Sequence, residues 1–324
     1  MEKVLVTGGA GYIGSVLVRL LLEKGYNVRV FDNLSFGGES IVDLLNHDRF
    51  EFLKGDMRNE DDLKKAVDGI DYIAHLAAIV GDPACRKFPE DAKAINLEGS
   101  KSLYSIANEA GVKKFVFAST CSNYGKMDDP EAYVNEDSKL APVSLYAETK
   151  VAVEKYLLNQ PKTNNCKPTS LRFSTVYGLS PRPRFDLTVN EFTRELALGR
   201  ELVIFGEQFW RPYCHVVDLS RSVIEVFEAD DEAVAYDVFN VGDTDENYQK
   251  EMIVNEILKV IPDGNIKYVQ KDEDPRDYRV SFDKIKDRLG FKITKRVPDG
   301  IKNIKQAVVD GFFHDPDDSR FSNI

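Results

Sequence analysis

Val4-Leu5-Val6-Thr7-Gly8-Gly9-Ala10-Gly11-Tyr12-Ile13-Gly14 decides how the rest of the chain is read. A short apolar, β-branched run leads into a glycine turn. Ser15-Val16-Leu17-Val18-Arg19-Leu20-Leu21-Leu22 then follows at helical spacing, so the order is strand, tight turn, helix. Gly8 allows the turn, Gly11 lets a diphosphate approach bare backbone, and Gly14 lets the helix pack close to the strand. The helix N-terminus offers unpaired N–H groups and the positive end of its dipole to phosphate, and Tyr12 and Ile13, between the glycines, are expected at the cofactor with them. A second strand, Asn27-Val28-Arg29-Val30-Phe31, ends in Asp32. An acid at that distance from the glycines holds the adenosine ribose hydroxyls and repels a 2′-phosphate, which favours NAD over NADP.

Composition sets the outer bounds. A chain of 324 residues can bury a sizeable core and divide into two lobes. The net charge of −11 argues against nucleic acid as a partner. No apolar run is long enough to cross a bilayer, and no basic-then-apolar leader opens the chain, so the expectation is a cytoplasmic protein. Cys85, Cys121, Cys166 and Cys214 lack metal-ligand spacing and read as free thiols; no metal site is expected.

Strands are predicted over 50–54, 70–76, 115–119 and 169–173, and helices over 63–67, 92–110 and 146–158. That alternation implies an α/β, Rossmann-type doubly wound parallel sheet in residues 1–175. Beyond Val176 loops lengthen and arginines gather (Arg182, Arg184, Arg194, Arg200, Arg211). Residues 176–213 and 244–315 read as a smaller α/β lobe for substrate, with 214–243 crossing back to the first lobe. Residues 316–324, rich in aspartate and serine, read as a frayed tail.

Tyr146-Ala147-Glu148-Thr149-Lys150 carries the chemistry. On a helix, Tyr146 and Lys150 project from one face. A nearby ammonium, with the positive nicotinamide of an oxidised cofactor, would favour phenolate, letting Tyr146 exchange a proton with a hydroxyl that loses or gains hydride. Lys150 would also bond the nicotinamide ribose. Taken alone, such a pair is commonly a packed tyrosine beside a solvated lysine. Behind the glycine turn and a strand ending in Ser119-Thr120, the catalytic reading takes over.

The whole set resembles the extended short-chain dehydrogenase/reductase family, in its nucleotide-sugar epimerase/dehydratase branch. The matching pieces include TGGAGYIG at 7–14, FDNL at 31–34, GD at 55–56, HLAA at 75–78, STCSNYG at 119–125, YAETK at 146–150, VYG at 176–178 and RPYCHVVD at 211–218. The resemblance implies a tightly held NAD, a nucleotide-diphosphate-sugar substrate, and a homodimer through helices near 92–110 and 146–158. It places Asn33, Asp56, Met57, Leu76, Ala77, Ala78 and Phe173 at the cofactor, with Asn96 bracing the catalytic strand. Thr120 stands where the family has its catalytic Ser/Thr. Ser122, Thr175, Asn190 and Arg211 are implied at the substrate, together with Arg276 or Arg279. For any one arginine, a solvated surface charge is the competing reading.

Departures from the family pattern narrow the chemistry. Related 4,6-dehydratases carry Asp-Glu after the threonine, whereas this chain has Cys121-Ser122. Thr175 stands where many relatives have asparagine. His215 reads as structural. The leading expectation is an NAD-dependent epimerase oxidising the sugar transiently at C4. The alternatives are a 4-keto-sugar reductase with an exchangeable cofactor, an atypical dehydratase using Cys121, or a non-catalytic dinucleotide sensor. A buried inert thiol is the competing reading of Cys121, and retention of Thr120, Tyr146 and Lys150 argues against the sensor.

Overall fold

The structure, a computed structural model, describes residues 2–127, 129, 132–271, 274 and 276–323. Alternation along the first strand explains the layering. In β1 (Lys3–Thr7), Val4 and Val6 face one side of the sheet and Leu5 the other, and all three are fully buried. Helix α1 (Tyr12–Glu23) returns over the Val4 face, and β2 (Asn27–Asp32) pairs parallel to β1. The chain continues through β3 (Phe50–Lys54), α2 (Glu60–Val67), β4 (Tyr72–His75), α3 (Asp82–Lys87), α4 (Pro89–Ala92), α5 (Ser100–Glu109), β5 (Lys114–Thr120), α6 (Leu145–Leu158) and β6 (Lys167–Phe173). Helices α2, α5 and α6 cover the Leu5 face through Leu63, Leu103 and Val153.

The helix expected over 92–110 is not continuous: a π-helical stretch, Lys93–Gly99, joins α4 to α5. It carries Asn96, whose amide bonds both the N–H (2.8 Å) and the C=O (2.9 Å) of Ile79. Asn96 therefore braces the loop after β4, not the strand β5 that the resemblance implied. Its polar atoms are spent there, and it does not line the cofactor cavity described below.

The second lobe begins with β7 (Thr175–Tyr177), α7 (Thr188–Ala197), β8 (Leu202–Phe205) and β9 (Trp210–His215). Helix α8 (Val216–Glu228) then packs on α1, and after α9 (Asp231–Val234) strand β10 (Asp237–Val241) joins the edge of the main sheet beside β6. The chain ends through β11 (Asn247–Gln249), α10 (Lys250–Leu258), β12 (Ile266–Val269), α11 (Asp283–Leu289) and α12 (Val297–Val309). The main sheet has seven parallel strands in the order β10-β6-β5-β4-β1-β2-β3. The order reverses between β4 and β1, and ligands bind at the carboxyl ends of strands beside such a switch point.

One buried ionic network holds β5, β6 and α6 in register. Arg172 on β6 meets Glu154 on α6 through Nη2–Oε1 (2.6 Å) and Nε–Oε2 (3.1 Å), both side chains nearly inaccessible. The Ser119 hydroxyl on β5 donates to Glu154 (2.8 Å), and Arg172 also donates to the Tyr124 hydroxyl (2.8 Å).

Residues 316–323 are not frayed. A 3₁₀ turn, Ser319–Phe321, seats Phe321 against Phe185 and Phe313, with ring centroids 5.8 and 5.5 Å apart. Aromatic burial outweighs the polar composition from which a loose end was expected.

Replacing Glu154 by leucine leaves Arg172 charged and buried without its partner. The expected loss is about 3–5 kcal/mol in urea unfolding. A loss below about 1 kcal/mol would show that the network does not set the register.

Candidate active site

A cavity of about 680 Å³ opens at the carboxyl ends of the parallel strands. The glycine turn forms its floor. Gly8 takes φ +73°, and a Cβ there would lie 2.8 Å from Ala77 N; a Cβ on Gly14 would lie 2.2 Å from Gly8 O. The close approach of α1 to β1 therefore requires glycine. Gly11 caps α1 without any side-chain bond, which leaves the first-turn N–H groups for a ligand.

Gly8, Gly11, Tyr12, Ile13, Gly14, Asp32, Asn33, Asp56, Met57, Leu76, Ala77, Ala78 and Phe173 all line this cavity, as do Thr120, Tyr146 and Lys150. Asp32 is aimed by two backbone donors, Ala10 N to Oδ2 (3.0 Å) and Leu34 N to Oδ1 (2.8 Å). Leu34 supplies its N–H from a left-handed turn, φ +60°. The Asn33 backbone bonds the same carboxylate, which still keeps accepting capacity for a ribose hydroxyl. Arg58 pairs with Asp56 (2.6 Å) and Asp91 (2.7 Å), and its guanidinium holds the Asp56 carboxyl below the usual range. A glycine cradle, an uncapped helix N-terminus and an oriented acid together fit NAD. Bound there, NAD would rest on the first turn of α1 and on Asp32.

The catalytic pair differs electrostatically from expectation. Thr120 ends β5, and its hydroxyl accepts the Ser122 N–H (3.1 Å). Ser144 caps α6 through Ala147 N (3.3 Å), so Tyr146 and Lys150 fall in the first two turns. Lys150 is buried; its Nζ donates to Ala118 O (2.7 Å) and sits 4.7 Å over the Phe117 ring. Burial lowers its pKa to about 7. Burial raises the Tyr146 phenol well above its ordinary value, Cys85 adds to the rise, and the opposing charge is that of Arg184. Lys150 lies over the Tyr146 ring, 5.9 Å from its centroid. Without a ligand, desolvation of both groups outweighs their mutual effect.

Several expected residues lie outside the cavity wall. Cys121 is buried, its thiol donates to Arg172 O (3.2 Å), and burial pushes its pKa well up, which favours the reading of a structural thiol. Asn190 is also buried, with Oδ1 accepting Gly178 N (2.9 Å) and Nδ2 donating to Arg184 O (2.8 Å) and the Tyr12 hydroxyl (3.2 Å). It ties the two lobes together and has no donor left for a substrate. Thr175 pairs along β9 opposite Tyr213. Ser122 bonds Tyr278. Arg211 pairs with Asp274 (2.9 Å), Arg276 with Asp82 (3.1 Å), and Arg279 stacks between Tyr133 and Trp210. This second-lobe group reaches the site through Asp82, whose charge acts on Tyr146. His215 is structural: Nδ1 caps α8 by accepting Val217 N (3.3 Å), and burial keeps the ring neutral.

Other residues on the wall were not foreseen there: Lys87, Phe88, Arg182, Arg184, Ser319, Ser322 and Asn323. The clustering of Arg182 with Arg184 was visible in the sequence, but nothing local said which way they face. The four cysteines are free and buried, and among the described residues no His/Cys/Asp/Glu group could hold a metal. No helix among them is long and apolar enough to cross a membrane.

Residues 4–242 match the model of the NAD-dependent epimerase/dehydratase family. The chain belongs to that family. It is 32% identical to a UDP-glucose 4-epimerase of Lactobacillus helveticus over 275 residues, covering 80% of this chain and 81% of that one. It is 36% identical to a 3-beta-hydroxysteroid dehydrogenase of Mycolicibacterium neoaurum over 193 residues, covering 57% of this chain and half of that protein. Among solved structures, UDP-glucuronic acid 4-epimerase from Bacillus cereus, in complex with UDP-glucuronic acid and NAD, superposes with a TM-score of 0.85 at 26% identity. That match covers 96% of this chain and 100% of that one.

The sign of the Lys150 shift gives a test. Its folded pKa of about 7 lies below the ordinary 10.5, so the unfolded chain binds more protons across that window and stability rises with pH through it. Between pH 7 and 10 the parent should gain stability relative to Lys150→Met by up to a few kcal/mol, at about 1.4 kcal/mol per pKa unit. The difference should be flat below pH 6. A difference in urea unfolding that stays constant from pH 6 to 10 would contradict the buried, depressed ammonium.

Proposed function

We propose that this chain is an NAD-dependent 4-epimerase of a nucleotide-diphosphate sugar. The observation that carries the reading is the meeting of Thr120, Tyr146 and Lys150 with the glycine turn and Asp32 on one cavity. Kinship with 4-epimerases over most of the chain supports it.

The glycine turn and Asp32 would hold NAD, which would supply reversible hydride exchange with the sugar C4. The chain's own part is proton transfer and positioning. Tyr146 takes the C4 hydroxyl proton and returns it, and the Thr120 hydroxyl donates to the same oxygen. The Lys150 ammonium, fixed on Ala118 O, would present its remaining N–H groups to the cofactor ribose. Inversion requires the planar 4-keto sugar to offer its other face to the same wall. The diphosphate must then be anchored while the ring turns. Arg211 and Arg276 suit that role by exchanging Asp274 and Asp82 for phosphate. Dehydration is disfavoured because the Cys121 thiol is spent on Arg172 O and no carboxyl group follows Thr120 in sequence.

UDP-glucose is the first probe, with the C4 epimer followed by NMR and no reductant added. The parent should interconvert the pair. Tyr146→Phe should retain NAD and lose at least about 10²-fold in kcat. Full activity in that variant would overturn the proton role. Across a panel of UDP- and dTDP-hexoses, turnover seen only with added NADH or NADPH would assign a keto-sugar reductase instead.

A further inference from the structure

Among the stretches outside the glycine-turn lobe that line the cavity are the loop carrying Arg182 and the segment containing Ser319, Ser322 and Asn323. Arg182 is only 6% exposed. Its guanidinium stacks 4.0 Å over Phe36, a cavity residue in the loop leaving Asp32, and Nη2 donates to Ser322 O (3.1 Å). Its Nε has no partner, and among the described residues it makes no ion pair. Arg184, next to it, is committed to Asp186 (Nε–Oδ1 3.0 Å). Burial and the Arg184 charge lower the Arg182 pKa to about 10, which leaves it cationic at neutral pH. Asp186, bonded to Arg184, offsets that burial only in part, and a buried cation short of a counter-ion is unfavourable until an anion meets it. The anion this cavity is shaped for is the diphosphate of a dinucleotide, beside the uncapped N-terminus of α1.

The segment over it is fastened to both lobes. Phe321 sits in the ring trio with Phe185 and Phe313, and Phe185 N bonds Phe321 O (2.8 Å). Asp317 pairs with Arg200 of the second lobe (2.5 Å), and Arg320 pairs with Glu39 of the first (3.1 Å). Asn323 Oδ1, on the cavity wall, is buried and unpartnered. A donor and an acceptor are thus orphaned at the same wall.

We propose that Arg182 and residues 319–323 form a clasp that retains the cofactor, with Arg182 countering the dinucleotide's diphosphate and the strap closing the way out. The clasp suits an enzyme that keeps its dinucleotide through many turnovers. It depends on membership in an NAD-dependent family, not on which sugar is altered.

The test uses full-length protein loaded with NADH and chased with excess NAD, release being read from nicotinamide fluorescence. Phe321→Ala and deletion of 319–324 should each speed release at least tenfold. Arg320→Ala, at an exposed anchor, should speed it severalfold and reports on the strap even if the deletion fails to fold. In equilibrium binding, Arg182→Gln should weaken ADP-ribose at least tenfold and leave adenosine unchanged, with Arg182→Lys recovering part of the loss. Release within twofold of the parent in the strap variants that fold would overturn the strap. Equal losses for adenosine and ADP-ribose, or no loss for either, would overturn the role of Arg182. Tighter binding of NADPH than NADH by the parent would move its charge to a 2′-phosphate and overturn the diphosphate assignment.

Discussion

The buried pair of Arg172 and Glu154 is the constraint on which the rest depends. It joins β6 to the helix bearing Tyr146 and Lys150, and the Ser119 hydroxyl, donating into the same carboxylate, ties in the strand that ends in Thr120. The network extends through the Tyr124 hydroxyl to Asn240 on β10 (2.7 Å), so the edge strand contributed by the second half of the chain is tied to the same centre. Such a pair adds little net stability over an apolar equivalent, but it tolerates only one register. Register is what the site needs, because Thr120 and Tyr146 must reach one substrate oxygen.

Around that centre the protein accepts unfavourable burial where ligands sit. Burial depresses the Lys150 pKa and drives the Tyr146 phenol up, and Arg182 is enclosed with its Nε unpartnered. A dinucleotide would relieve two of these costs, bringing diphosphate charge to Arg182 and a cationic ring beside the phenol. Perturbed ionisable groups gather at functional sites for this reason. In this chain Lys150, Tyr146 and Arg182 share one cavity.

What was legible in the sequence was local. The glycine turn, Asp32 and the Tyr146–Lys150 spacing lie within single strand-turn-helix units, where periodicity alone fixes the facing. The crossing back of the chain to the main sheet was legible from the apolar stretches near 216–227 and 238–241. Long-range pairings were not. Nothing near Arg276 reveals that Asp82 holds it, and nothing near Asn190 reveals that Gly178 and Tyr12 consume its amide. Polar residues around Phe321 concealed its seat beside Phe185, so a fastened strap read as a loose end. The electrostatics of Tyr146 also lay beyond spacing, because desolvation depends on every element packed around it.

The central claim is a redox cycle that is closed within one chain and runs on a resident cofactor. The most direct measurement is to purify the protein without added nucleotide, denature it, and identify by mass whatever is released. The account predicts about one NAD per chain. A site that comes away empty, and fills with NADH or NADPH only when they are offered, would contradict it and make the protein a reductase that borrows its hydride from outside.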